Sequence, residues 1–97
     1  MKRLISAICL LFFLLPLPAQ ETYQKEIFIS SRGDTLQYRL LQPENMKKSE
    51  KYPLVLFLHG AGERGNDNER QLTHGGQMFL NPVNREKYPA FVLAPQC

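Results

Sequence analysis

The residues best suited to chemistry are Leu58-His59-Gly60-Ala61-Gly62-Glu63-Arg64-Gly65, where an apolar run gives way to a glycine-rich polar loop. Three chemistries compete for this segment. As G-x-G-x-x-G, Gly60 to Gly65 matches the turn that cradles a dinucleotide pyrophosphate, and Glu86 lies about 20 residues beyond, where an acid would meet the ribose. That motif packs an apolar helix start behind its third glycine, whereas Gly65 is followed by Asn66-Asp67-Asn68-Glu69-Arg70, so the match is weak. A metal site could draw on His59, Glu63, Asp67 and His74. No H-E-x-x-H or comparable ligand spacing is present, however, and solvated loop acids with a packed histidine explain these residues better. In the third reading, backbone N–H groups are aimed at a developing oxyanion, because glycines let the chain turn sharply off a strand and point its amides into a site. His59, Gly60, Ala61 and Gly62 would form that loop. His59 itself reads as a strand-end histidine hydrogen-bonded to the loop.

The elements that must position this loop are two apolar runs. Pro53-Leu54-Val55-Leu56-Phe57-Leu58 places a proline at a strand's first position and then five apolar residues. Continuous apolarity predicts burial on both faces, as in a central strand of an α/β sheet. Ala90-Phe91-Val92-Leu93-Ala94 is a second such strand, ended by Pro95. Between them Asp67 or Asn68 offers a helix N-cap, Gln71 stands three positions after Asn68, and Leu72 and Phe79 are seven apart on one face. Gly75-Gly76 interrupt this pattern, so a short or broken helix is predicted, ending near Asn81-Pro82. Upstream, Lys25 to Ser30 and Thr35 to Leu40 predict an antiparallel hairpin turning at Ser31-Arg32-Gly33-Asp34, with Leu36, Tyr38 and Leu40 on the half-buried face. Gln42 to Tyr52 reads as a solvated loop.

The first 19 residues have the three parts of an export signal: Lys2-Arg3, an apolar run from Leu4 to Leu15, and Pro16-Leu17-Pro18-Ala19 before a polar change. Twelve residues are about half of what a membrane-spanning helix needs. Removal of residues 1–19 leaves 20–97 as one small working domain at most, exported to the periplasm or beyond. The net charge of +3 includes Lys2 and Arg3, so the remainder is close to neutral and no nucleic-acid partner is suggested. Of the 2 cysteines, Cys9 falls in the leader and Cys97 ends the sequence, which leaves no internal disulfide. A domain this small must then rely on its core alone.

Tyr52-Pro53-Leu54-Val55-Leu56-Phe57-Leu58-His59-Gly60-Ala61-Gly62-Glu63-Arg64-Gly65, then Asn68-Glu69 to Leu72, then Tyr88-Pro89-Ala90-Phe91-Val92-Leu93-Ala94-Pro95-Gln96-Cys97 resemble the N-terminal part of exported bacterial serine hydrolases of the α/β-hydrolase family. The similar proteins are predicted peptidases, phospholipase/carboxylesterase-like and dienelactone-hydrolase-like proteins, polyester depolymerases and feruloyl esterases. The resemblance implies an α/β fold with a hairpin followed by parallel buried strands, and a small ester or peptide substrate. It implies the Ala61 N–H as one oxyanion donor, with Gly62 supporting the turn and His59 and Gly60 shaping it. It calls for no cofactor and no metal.

The family's triad follows in the chain order Ser, Asp or Glu, His, after this segment. The serines here are Ser6, Ser30, Ser31 and Ser49, and none stands in G-x-S-x-G. Cys97 has no base motif around it to replace them. Two strands apolar on both faces also need helices above and below, and one broken helix is on offer. The expectation is therefore an N-terminal portion of a longer hydrolase, inactive by itself. The rival expectation is an exported non-catalytic mini-domain or binding module, for which Arg32-Gly33-Asp34 would be an adhesion-type tripeptide, although Gly-Asp equally suits an ordinary hairpin turn.

Overall fold

In the computed structural model, which describes residues 22–97, β1 (Gln24–Ile29) and β2 (Thr35–Leu41) form an antiparallel hairpin. Its turn is closed by neighbouring groups. Ser30 N donates to Asp34 O at 2.8 Å, and Ser30 Oγ accepts from the amides of Arg32 and Asp34. Gly33 sits at φ +88°, the left-handed region a glycine enters without steric cost. The predicted export leader lies outside the described residues.

β3 (Leu54–Leu56) and β4 (Phe91–Gln96) complete a four-stranded mixed sheet in the order β1-β2-β4-β3. β4 pairs antiparallel with β2 and parallel with β3. The ladder extends past β3 at both ends, through Phe91 N to Pro53 O and Phe57 N to Leu93 O, each 2.9 Å. β4 runs two residues beyond its predicted end, through Pro95. These bonds alternate along the strand, so the N–H that Pro95 lacks would have faced β3, where that strand is already leaving the sheet.

The register puts Arg39, Leu41, Val55, Val92, Ala94 and Gln96 on one face and Tyr38, Leu40, Leu54, Leu56, Leu93 and Pro95 on the other. The first face carries the core: Tyr23, Leu41 and Val92 are buried, with Val55, Phe57, Leu72, Phe79 and Leu80 packed against them. Phe57 and Phe79 meet edge to face at 5.8 Å. The second face is not covered among the described residues, and Leu54 and Leu56 remain 63% and 58% exposed. The predicted burial of both faces of β3 is corrected accordingly. In β2 the buried residues are Arg39 and Leu41, while Leu36, expected inside, is exposed.

The predicted helix after Asp67 is replaced by two 3-10 turns, Arg70–Leu72 and Gly76–Leu80, and the α-helix α1 (Pro82–Lys87) begins where the predicted one ended. Two local facts explain the difference. Gly75 takes φ +104° and a Cβ there would stand 2.9 Å from the Phe57 ring, so the chain breaks at that point to admit Phe57. Asn81 Oδ1 then accepts from the amides of Val83 and Asn84, at 3.0 and 3.3 Å. With Pro82 at the first helical position, Asn-Pro is a start signal rather than a stop. Leu72 and Phe79 still reach the core together, carried by separate turns.

Candidate functional site

Beyond β3 the chain runs through Phe57, Leu58 and His59 into the glycine loop. Gly60 is extended (φ −80°, ψ 173°), and Ala61–Glu63 make a single 3-10 turn. The turn closes through Glu63 N donating to Gly60 O at 3.2 Å. Its first two amides, on Ala61 and Gly62, have no preceding helical carbonyl to bond, and neither has a hydrogen-bond partner among the described residues. All four residues singled out from the sequence lie on this short stretch. The conformation that demands glycine is downstream, at Gly65, where φ is +152°.

Both ring nitrogens of His59 are engaged. The Cys97 amide donates to Nε2 at 3.3 Å, which makes Nε2 an acceptor and leaves Nδ1 to donate to Gly60 O at 2.6 Å. The Cys97 sulfur lies 3.7 Å from the same Nε2. His59 thereby links the loop to the end of β4. Gly65 N adds a bond to Cys97 O at 3.4 Å.

A buried polar network underlies the rest of the loop. Gln96, on β4, accepts from Asn68 N at 2.7 Å and donates to Glu63 O at 3.2 Å and Asp67 Oδ1 at 2.8 Å. Asn68, held at φ +54°, donates from its side chain to Tyr38 O and accepts from Gln71. Arg39 donates to Asn68 O and, at 2.8 Å, to Tyr23 O, with Glu69 at 3.8 Å. Glu69 takes the N-cap position of the next turn in place of the expected Asp67 or Asn68, and Asp67, two residues ahead of it, also accepts from the amides of Glu69 and Arg70. Its carboxyl is held down at about 2, chiefly by the Gln96 hydrogen bond and then by those two amides. Burial lowers the Arg39 guanidinium, opposed by Glu69 and Asp67. Tyr23, which donates to Gly76 O, is pushed up to about 12 by burial.

Gln96, Asn68 and Arg39 were not recognised from the sequence as site residues. Gln96 lay beyond the predicted strand, and the alternation of β2 pointed Arg39 at solvent. An arginine between apolar residues on a strand next to a hairpin was the available signal, and it was ambiguous.

The other groupings fare differently. Glu63 and His74 meet at 3.2 Å, but among the described residues no three histidine, cysteine or acidic side chains are arranged to hold a metal. The glycine run opens onto an isolated 3-10 turn, without the helix a pyrophosphate would face, and Glu86 sits on α1. A hollow of about 550 Å³ lies at the starts of β3 and β4, lined by Leu41, Val55, Phe79, Tyr88 and Val92 among others. Arg85 on its wall is committed to Glu44 and to Gln42 O.

No protein-family model matches the chain, and no curated protein does. A solved structure does: the crystal structure of a thermostable esterase superimposes with a TM-score of 0.73 and 41% sequence identity, over 79% of this chain and 21% of that one. Over the matched residues the chain is similar to that esterase. Its mixed four-stranded sheet fits part of an α/β-hydrolase fold, in keeping with the resemblance carried by residues 52–97. The chain spans about a fifth of the length of the esterase it matches. Among its described residues no helix is long and apolar enough to cross a membrane.

Proposed function

We propose that the esterase-like chain supplies the oxyanion-binding loop of an exported serine hydrolase acting on ester or peptide bonds, esters first because the solved neighbour is an esterase. One observation carries this reading. The turn after β3 engages the Glu63 amide and leaves those of Ala61 and Gly62 uncommitted, on the loop that the family resemblance assigns to the oxyanion. Preorganised amides of this kind stabilise the negative oxygen of a tetrahedral intermediate without reorganising during the reaction. His59 shapes the loop and is not the base, since both its nitrogens are engaged. None of Ser6, Ser30, Ser31 and Ser49 stands in G-x-S-x-G, so the nucleophile is drawn from residues other than these 97. Residues 1–19 direct export and 20–97 act as a portion of the hydrolase domain, with no cofactor or metal in the reaction.

Ala61→Pro tests the reading. A proline removes one N–H, its fixed φ suits the first position of a 3-10 turn, and the extended Gly60 before it is already in the region a proline requires. The protein is taken as its host makes it, and its intact mass against 11.2 kDa tells how much further chain takes part. Hydrolysis of a short-chain nitrophenyl ester should fall about 10²–10³-fold in kcat, the cost of one oxyanion donor. An unchanged kcat would remove the loop from the chemistry, and no turnover at all by the unmutated protein would favour a non-catalytic exported module.

A further inference from the structure

We infer that Gln96 is the positioning residue of the glycine loop: its buried carboxamide grips Glu63, Asp67 and Asn68 together and so fixes where the Ala61 and Gly62 amides stand. The inference deepens the hydrolase reading and rests on it for its meaning. The Gln96 side chain reaches from the last residue of β4 to three points of a loop 28 to 33 positions earlier in the chain. Each of its polar atoms is used. Oε1 accepts from the Asn68 amide, while Nε2 donates to the carbonyl of Glu63, the residue that closes the Ala61–Glu63 turn, and to the Asp67 carboxylate. Gln96 is itself 4% exposed, so water does not replace these bonds when they are lost. Gly65 fits beneath it, where a Cβ would come within 3.5 Å of Gln96 Nε2.

Gln96 bonds to both ends of the 63–68 segment through one side chain. Arg39 donates to Asn68 O and feels the Asp67 charge, both at the far end of that segment, and His59 bonds to Gly60 and Cys97. Without Gln96 the loop keeps its turn-closing bond, its tie from Gly65 to Cys97 and the bonds of Asn68 to Arg39 and Tyr38 on β2, but loses its anchors to β4 at Glu63, Asp67 and the Asn68 amide. Gln96 thus acts through the backbone it holds and touches no reacting atom.

The test is amide hydrogen exchange, read by mass spectrometry, on the full protein and on Gln96→Leu. Exchange across residues 60–70 should rise about tenfold or more on loss of three hydrogen bonds, one buried and two part-buried, with the amides of β1 and β2 unchanged. Equal loss of protection in the hairpin, or an unchanged loop, would overturn the assignment. Should Gln96→Leu not fold, the wild-type protein decides by NMR: the Gln96 side-chain amide signals should move as Asp67 titrates near 2. An Asp67 that titrates in the ordinary carboxylate range with no response from Gln96 overturns it equally. With the folded fraction measured by circular dichroism and kcat expressed per folded molecule, Gln96→Leu should lower kcat and leave KM in place in ester hydrolysis. A loop that loosens in Gln96→Leu while Ala61→Pro leaves kcat intact upholds Gln96 as the holder of the loop and removes only the hydrolase reading.

Discussion

Two glycine-containing turns leave strands of the same sheet, and they are stabilised in opposite ways. The hairpin turn Ser30–Asp34 satisfies itself: its bonds run between residues at most four apart, and its Arg32–Asp34 pair is open to solvent. The loop from Gly60 to Arg70 is tied to β2 and β4 by Arg39 and Gln96, across separations of 28 to 33 residues. A self-contained turn can change without consequence for the sheet. A turn held from a distance has its shape set by the sheet, which is the property a loop needs if its free amides are to stand in one place during a reaction.

The largest break in this contrast should come at Arg39. Its guanidinium is buried and donates to the carbonyls of Asn68 and Tyr23, so Arg39→Leu strands two acceptors beneath the loop. Hydrogen bonds from a charged donor contribute about 1.5–3 kcal/mol each, and a loss of about 2–3 kcal/mol is expected in urea unfolding. Glu69 is more than half exposed and rehydrates when its partner goes, which keeps the figure below that for stranding a buried charge. A loss under 1 kcal/mol would mean that the loop does not depend on β2.

How much of this was readable beforehand follows the same division. The hairpin was legible because Gly33-Asp34 and the flanking β-formers are local signals, and the two apolar strands because five consecutive apolar residues admit few other readings. The glycine loop was legible as a place but not as a structure. What holds it is an arginine on an alternating strand and a glutamine after a proline, each ordinary alone and informative only once β4 is known to lie between β2 and β3. The helix was misplaced for a related reason. Asn81-Pro82 stops one element and starts another, and the choice depends on Phe57 filling the space at Gly75, a contact 18 residues away in sequence.

A second break sharpens the contrast with one chemistry at two sites. Gly33 and Gly75 both have positive φ, +88° and +104°, so alanine carries a backbone cost of about 1 kcal/mol at either. At Gly33 a Cβ meets nothing within 4 Å, whereas at Gly75 it would lie 2.9 Å from the Phe57 ring, inside the core beside Phe79. Gly33→Ala should stay near that backbone cost. Gly75→Ala should add a modest overpacking cost, because the clash is with the far edge of the Phe57 ring, for about 2 kcal/mol in all by urea unfolding. Equal losses at the two positions would show that Phe57 yields freely and that the chain breaks at Gly75 for its dihedral alone.

The smallest effect is expected at Arg32, and its smallness is the point. Its Nε lies 3.8 Å from Asp34 Oδ2 and the two side chains are 88% and 76% exposed, so water screens the pair and already hydrates both charges. The bonds that close the turn come from the amides of Ser30, Arg32, Gly33 and Asp34 and do not use the Arg32 side chain. Arg32→Ala should therefore change unfolding free energy by less than about 0.5 kcal/mol and leave amide exchange in residues 60–70 as it was. A loop that responded to Arg32→Ala would couple the hairpin tip to Gly60–Arg70 through β2, and the self-contained character of the first turn would have to be given up.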